Sequence, residues 1–125
     1  MTDKNSKEIL IAEDDRSIAK ALQLKLEHSG FTVKVVFDGE EAIAAVNQGD
    51  FALVLLDLMM PKKDGFDFLE AIKGHKKKPA IIILSNLSQE SDVHRALELG
   101  AADFLVKSDT PLLEVVAKVN KILGL

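Results

Sequence analysis

The sequence contains no cysteine, no tryptophan and no tyrosine, and only three prolines in 125 residues. Without cysteine, disulfides and thiolate metal sites are excluded. Without Trp or Tyr there is no obvious ring to stack on a flavin, and no G-x-G-x-x-G follows the first apolar run to cradle a nucleotide. No apolar stretch reaches the ~18 residues of a membrane span. The polar opening MTDKNSKE is too short to contain a signal peptide. These absences point to a cytoplasmic protein without membrane insertion. Residues 1–7 are expected to be flexible. Asn86-Leu87-Ser88 spells a glycosylation sequon, which reads as chance without an export signal. A net charge of −4 argues against direct nucleic-acid binding. His28, His75 and His94 are scattered and form no ligand set.

What is present is an ordinary globular balance, 47% apolar and 29% charged, at a length that fits one domain over residues 1–125. Five apolar runs of strand length recur: EILIA (8–12), TVKVVF (32–37), ALVLLD (52–57), AIIILS (80–85) and DFLVK (103–107). Most lack alternation, as strands covered on both faces should; the second alternates more and is the best edge candidate. Between them lie helical stripes, such as Ile18, Leu22 and Leu26, or Leu112, Val115, Val116, Val119 and Leu123. Gly30, Gly49, Gly74 and Gly100 each follow a helical segment, where a left-handed residue is expected. Asp38 with Glu41 predicts a capping box, and Thr110-Pro111 predicts an N-cap and first helical residue. Strand and helix alternate five times, and right-handed crossovers then give an α/β fold: a single doubly wound five-stranded parallel sheet with helices on both faces.

One carboxylate stands out. In LVLLDLMMP (53–61), Asp57 ends an otherwise apolar run, an expensive place for an unpaired charge. Sites in open α/β sheets form outside the carboxyl ends of the strands. Those ends carry Glu13-Asp14-Asp15, Asp57, Ser85 and Lys107, which share one pocket if the first, third, fourth and fifth strands are neighbours in that order. Two carboxylates ~4 Å apart repel by ~4 kcal/mol at an effective dielectric of 20. Glu13, Asp14 and Asp57 together exceed what Lys107 alone can neutralise. Either one carboxyl holds a proton or a cation sits among them. Oxygen-only ligands select a hard metal, Mg²⁺ (or Mn²⁺), which usually completes its shell with water and phosphate. A carboxylate can then attack phosphorus while metal and ammonium neutralise the transferring group. Pro61 ends the strand and stiffens the loop beside Asp57.

In order along the chain, ILIAEDD, LVLLDLMMPKKDG, IIILSN and GAADFLVK resemble the receiver (CheY-like) domain of two-component response regulators, over nearly the whole sequence. The resemblance implies the flavodoxin-like strand order 2-1-3-4-5, for which CheY is a known example. It implies Asp57 as phosphoacceptor, with Mg²⁺ held by Glu13, Asp14, Asp57 and the backbone carbonyl of Met59. Ser85, Asn86 and Lys107 would contact the phosphoryl group, Ser85 and Phe104 would form the switch, and Pro61 and Gly65 would shape the active-site loop. The implied partners are a histidine kinase or histidine phosphotransfer protein and an output protein or domain. The fourth helix, fifth strand and fifth helix, roughly residues 88–123, would be the signalling face and a route to a homodimer. There are four departures from the usual pattern. Ser85 replaces threonine, Asn86 stands where a small residue is usual, and Met59 and Leu87 lie where phosphoryl lifetime is tuned. Ser108 follows Lys107 where many members have proline on a cis bond; a non-proline cis bond costs ~3–4 kcal/mol.

Each residue also has a plainer reading. Asp15 is expected to cap the first helix. Phe104 could equally be core, and Lys62, Lys63 and Lys76-Lys77-Lys78 read first as solvated loops. The function implied is a phosphorylation-dependent switch, not a turnover enzyme. The alternatives are a phosphorylation-independent pseudo-receiver and a Mg²⁺-dependent aspartyl phosphatase. The haloacid-dehalogenase type of phosphatase would want a second Asp where this chain has Met59.

Overall fold

The computed structural model describes residues 8–125, so the expectation for residues 1–7 lies outside the described residues. Strands β1 (Glu8–Ala12), β2 (Thr32–Val36), β3 (Leu53–Leu56), β4 (Ala80–Ser85) and β5 (Asp103–Val106) alternate with helices α1 (Arg16–His28), α2 (Gly39–Gln48), α3 (Gly65–Ile72), α4 (Glu90–Glu98) and α5 (Leu112–Leu123). All strand pairs are parallel, and the order is β2-β1-β3-β4-β5. The alternating second strand is an edge, as its pattern predicts.

Because side chains alternate along a strand, the near-continuous apolar runs split into two cores. Ile9, Ile11, Leu53, Leu55, Ile82 and Leu84 face Ala19, Leu22 and Leu26 of α1 and Val115, Val116 and Val119 of α5. Leu10, Val54, Leu56, Ile81 and Ile83 face α2, α3 and Ala96 of α4, with Phe68 fully buried. Both faces of the three central strands are thus dry, and only the strand ends reach water.

Local signals were honoured unevenly. Asp15 caps α1, its Oδ1 accepting from the N–H groups of Ser17 and Ile18. Asp38 accepts from Glu41 N–H, but Glu41 reaches back to Phe37 N–H instead of closing the box on Asp38. A closed box is found at α3, where Asp64 and Asp67 each accept from the other's N–H. Thr110 does not cap α5. Its hydroxyl donates to Val106 O, and Pro111 takes the cap position without a side-chain bond. Gly30 and Gly100 take the left-handed backbone, but Gly49 is extended and Gly74 is not left-handed; Gly124 is.

The loop after β3 is seated against the start of α2. Pro61 O accepts from Gly39 N–H at 3.4 Å, and Lys62 Nζ lies 3.7 Å from Asp38. A Cβ on Gly39 would land on the carbonyl of Lys63, and one on Gly65 would come within 2.7 Å of the Leu58 Cα. Gly39→Ala is therefore expected to destabilise the protein by about 1–3 kcal/mol, the usual cost of overpacking. Gly74→Ala, whose Cβ would meet nothing within 4 Å, should be neutral or slightly stabilising. Urea unfolding of both variants checks this; equal midpoints would show that the loop does not need its seat.

Candidate phosphoacceptor and metal site

The sheet brings the charged residues together by extending its ladder one step past the strands. Glu13 N–H donates to Val36 O at 3.1 Å and Asp57 N–H to Ala12 O at 3.0 Å. These bonds fix both backbones at the same rim, where the parallel strands all end. The side chains then enter a cleft of about 420 Å³ lined by Glu13, Asp14, Asp15, Asp57, Met59, Asn86 and Lys107.

Glu13 and Asp57 are buried at 2% and 5% exposure, while Asp14 is open to solvent. One oxygen from each of Glu13, Asp14 and Asp57 lies within 4.8 Å of the others, a spacing that could hold a metal ion. Lys107 reaches across from the far side: its Nζ is 2.6 Å from Glu13 Oε1 and 2.8 Å from Asp57 Oδ2. The second oxygens are used too, Glu13 Oε2 accepting from Asp15 N–H and Asp57 Oδ1 from Met59 N–H. Burial pushes the Glu13 carboxyl above its ordinary range, and the charge of Asp57 adds to this; the bonds from Lys107 and Asp15 offset it only in part. Burial pulls Lys107 down, but its hydrogen bonds to Asp57 and Glu13 outweigh that and leave it raised.

The other expected residues are placed less directly. Ser85 is fully buried and does not line the cleft; its Oγ accepts from Leu87 N–H at 3.1 Å. Asn86 does line it, with its Oδ1 accepting from Ser108 N–H at 2.8 Å. Phe104 is half-buried against the core on the α2–α3–α4 side of the sheet, away from the charged cluster. Met59 is exposed, with its N–H on Asp57. Pro61 and Gly65 bracket the loop, Gly65 N–H donating to Leu58 O. No cis peptide occurs among the described residues, so Lys107-Ser108 is trans and opens a 3-10 turn, Lys107–Asp109. Sequence reasoning missed Asp38, Gly39 and Asp64 as supports of this rim. Asp64 had a visible signal, an Asp three residues before Asp67 at a helix start, and Asp38 was read as a helix cap but not as a support of the rim.

The profile of the response regulator receiver domain matches residues 9–118. The alkaline phosphatase synthesis transcriptional regulatory protein PhoP of Bacillus subtilis is 38% identical over 118 residues, covering 94% of this chain and 49% of that protein. The chain thus spans about half the length of the curated relatives it matches. The receiver domain of the Francisella response regulator 1452 superposes with a TM-score of 0.88 at 30% identity, covering 95% of this chain and 98% of that one. The BeF3-activated DrrB receiver domain superposes at 0.85 with 28% identity, covering 96% and 99%.

Removing the lysine should expose the cost of the cluster. Lys107→Ala is expected to lose about 2–3 kcal/mol of stability at pH 7, somewhat below the penalty for breaking a fully buried pair because the rim is wet. The pH dependence follows from the shifts. Lys107, raised, contributes stability that is complete below its unfolded pKa and lost as pH rises through the folded one. Glu13, also raised, penalises the folded state when ionised, and that penalty fades as pH falls through its folded pKa. The deficit of Lys107→Ala should therefore shrink between pH 7 and pH 4.5. Urea unfolding at the two pH values measures it, and a constant deficit would mean that Lys107 serves packing and not charge balance.

Proposed function

The chain belongs to the response regulator receiver domain family, and on that footing we propose that it is a phosphorylation-controlled switch with Asp57 as phosphoacceptor. The observation that carries this is the convergence of Asp57, Glu13, Asp14 and Lys107 at one rim. Asp57 supplies the nucleophile: a carboxylate oxygen bonds to phosphorus as the bond from phosphorus to a donor imidazole breaks, and that imidazole nitrogen recovers its electron pair. Lys107, already 2.8 Å from Asp57 Oδ2, can follow the charge onto the phosphoryl oxygens. Ser85, once released from Leu87 N–H, and the carboxamide NH₂ of Asn86 are the candidate phosphoryl donors.

The donor set fits Mg²⁺, or Mn²⁺: oxygen ligands only, two buried and one open to water. Glu13, Asp14, Asp57 and the Met59 carbonyl would hold it. When bound, it would supply charge neutralisation at the transferring group. We place the domain in the cytoplasm, receiving its phosphoryl group from a histidine kinase or histidine phosphotransfer protein. Its output, a partner or an attached domain, would be controlled through α4, β5 and α5, with Ser85 and Phe104 as the moving parts and a homodimer through that face as one form. The transcriptional regulators it resembles favour such an output over turnover catalysis. The whole receiver unit would span residues 1–125.

Two measurements test this. Acetyl phosphate should label the protein only with Mg²⁺, and Asp57→Asn should abolish the label; equal labelling of both proteins would remove Asp57 from its role. Mg²⁺ at ten times its dissociation constant should raise stability by about 1.4 kcal/mol. That gain should fall by at least half in Asp14→Asn. Unchanged melting temperatures with and without Mg²⁺ would favour a phosphorylation-independent interaction module.

A further inference from the structure

The β4–β5 ladder ends at the pair Ser85 and Val106. The next bond across these strands is made by a side chain: Asn86 Oδ1 accepts from Ser108 N–H at 2.8 Å. Two sequence departures thus meet, since a proline at 108 would offer no N–H to hold. Ser108 N–H belongs to the peptide that follows Lys107. A lysine reaches its target through a flexible four-carbon stem, so the position of its ammonium depends on where its backbone is fixed. The turn carrying Lys107 is otherwise held by the Thr110 hydroxyl on Val106 O at 2.8 Å and a long 3.5 Å bond from Thr110 N–H to Lys107 O. Neither ties it to the β4 side of the cleft.

We infer that Asn86 is a positioning residue for Lys107: its carboxamide oxygen clamps the Lys107-Ser108 peptide to the end of β4 and so sets the reach of the ammonium to Glu13 and Asp57. The inference rests on the proposed role of Lys107, but the clamp itself is a property of the protein before any phosphoryl group arrives. It also fixes the orientation of Asn86. With the oxygen accepting from Ser108, the NH₂ is the group left for the cleft, so Asn86 presents its donors there. Asn86 directly follows Ser85, so a Ser85 that turns towards a phosphoryl group pulls on the same peptide that carries Lys107.

The test uses the full chain, metal-free and unphosphorylated, so that direct contact with a phosphoryl group cannot contribute. Exchange of the Ser108 amide hydrogen and the ¹⁵N signal of the Lys107 ammonium are followed by NMR in wild type, Asn86→Ala and Asn86→Asp. An ordinary hydrogen bond is worth a factor of roughly three to ten. Ser108 exchange should accelerate by about that factor in Asn86→Ala, and the protected ammonium signal of Lys107 should be lost. Asn86→Asp, which keeps an acceptor oxygen, should restore both. A Ser108 amide unaffected by Asn86→Ala overturns the clamp. So does a Lys107 signal unchanged by it, absent from the wild type, or not restored by aspartate. Acetyl phosphate labelling of wild type is scored separately: if Asp57 takes no label, the phosphoacceptor reading falls while the two NMR signals still decide the clamp.

Discussion

Everything at the rim depends on one ammonium between two buried carboxylates. Glu13 and Asp57 sit at the ends of adjacent parallel strands because their own N–H groups continue the sheet ladder, so neither backbone can retreat. Their charges must be met where they stand. Lys107 comes from the opposite end of the strand order and meets both, at 2.6 and 2.8 Å. A parallel sheet makes this possible, since every strand delivers its carboxyl end to the same edge. An antiparallel arrangement of the same strands would have sent alternate members to the opposite rim.

The balance is incomplete, and the incompleteness is what makes the rim receptive. Three carboxylates against one ammonium leave two formal negative charges. Asp14 faces water, where its charge is cheap, so the deficit falls on Glu13, whose pKa is raised chiefly by burial. A divalent cation would match the residual charge, and under the proposed function an arriving phosphoryl group would give the lysine a second anion to serve. The site is built at the edge of tolerable repulsion, with water on one side of it to keep the cost bounded.

The fold was legible because its signal is redundant. Five apolar runs of Val, Ile and Leu, each followed by a helical stripe, allow little besides a covered parallel sheet. The positions of Glu13, Asp14, Asp57 and Lys107 followed from the strand ends. What the sequence did not disclose are contacts between residues distant in the chain. Nothing local to Gly39 says that Lys63 will occupy the place of its side chain, and nothing around Asn86 points to Ser108. Thr110 failed as a cap for a related reason: a hydroxyl can serve either end of a turn, and here it donates to the part-buried Val106 O. Gly49 and Gly74 show the weakness of a rule of position, because a helix can leave through an extended residue as well as a left-handed one.

The arrangement of Ser85 bears on how the proposed switch could be both stable and easily thrown. Its hydroxyl is fully buried yet satisfied, accepting from Leu87 N–H two residues on. Under the proposed function, turning towards a phosphoryl group would exchange that neutral bond, worth about 1 kcal/mol, for a charge-assisted one roughly twice as strong. Such a gain would be small enough to be reversed when the phosphoryl group leaves. Releasing Leu87 N–H would loosen the loop that leads into α4, which buries only Ala96 among its own residues, fewer than α1, α2, α3 or α5. Phe104 is half-buried on the same side, packed against the core cluster that includes Ala96. A deeply packed α4 would hold one position whatever happened at the rim. In the proposed switch, its shallow seat would let a single hydrogen-bond exchange at Ser85 be felt at the surface.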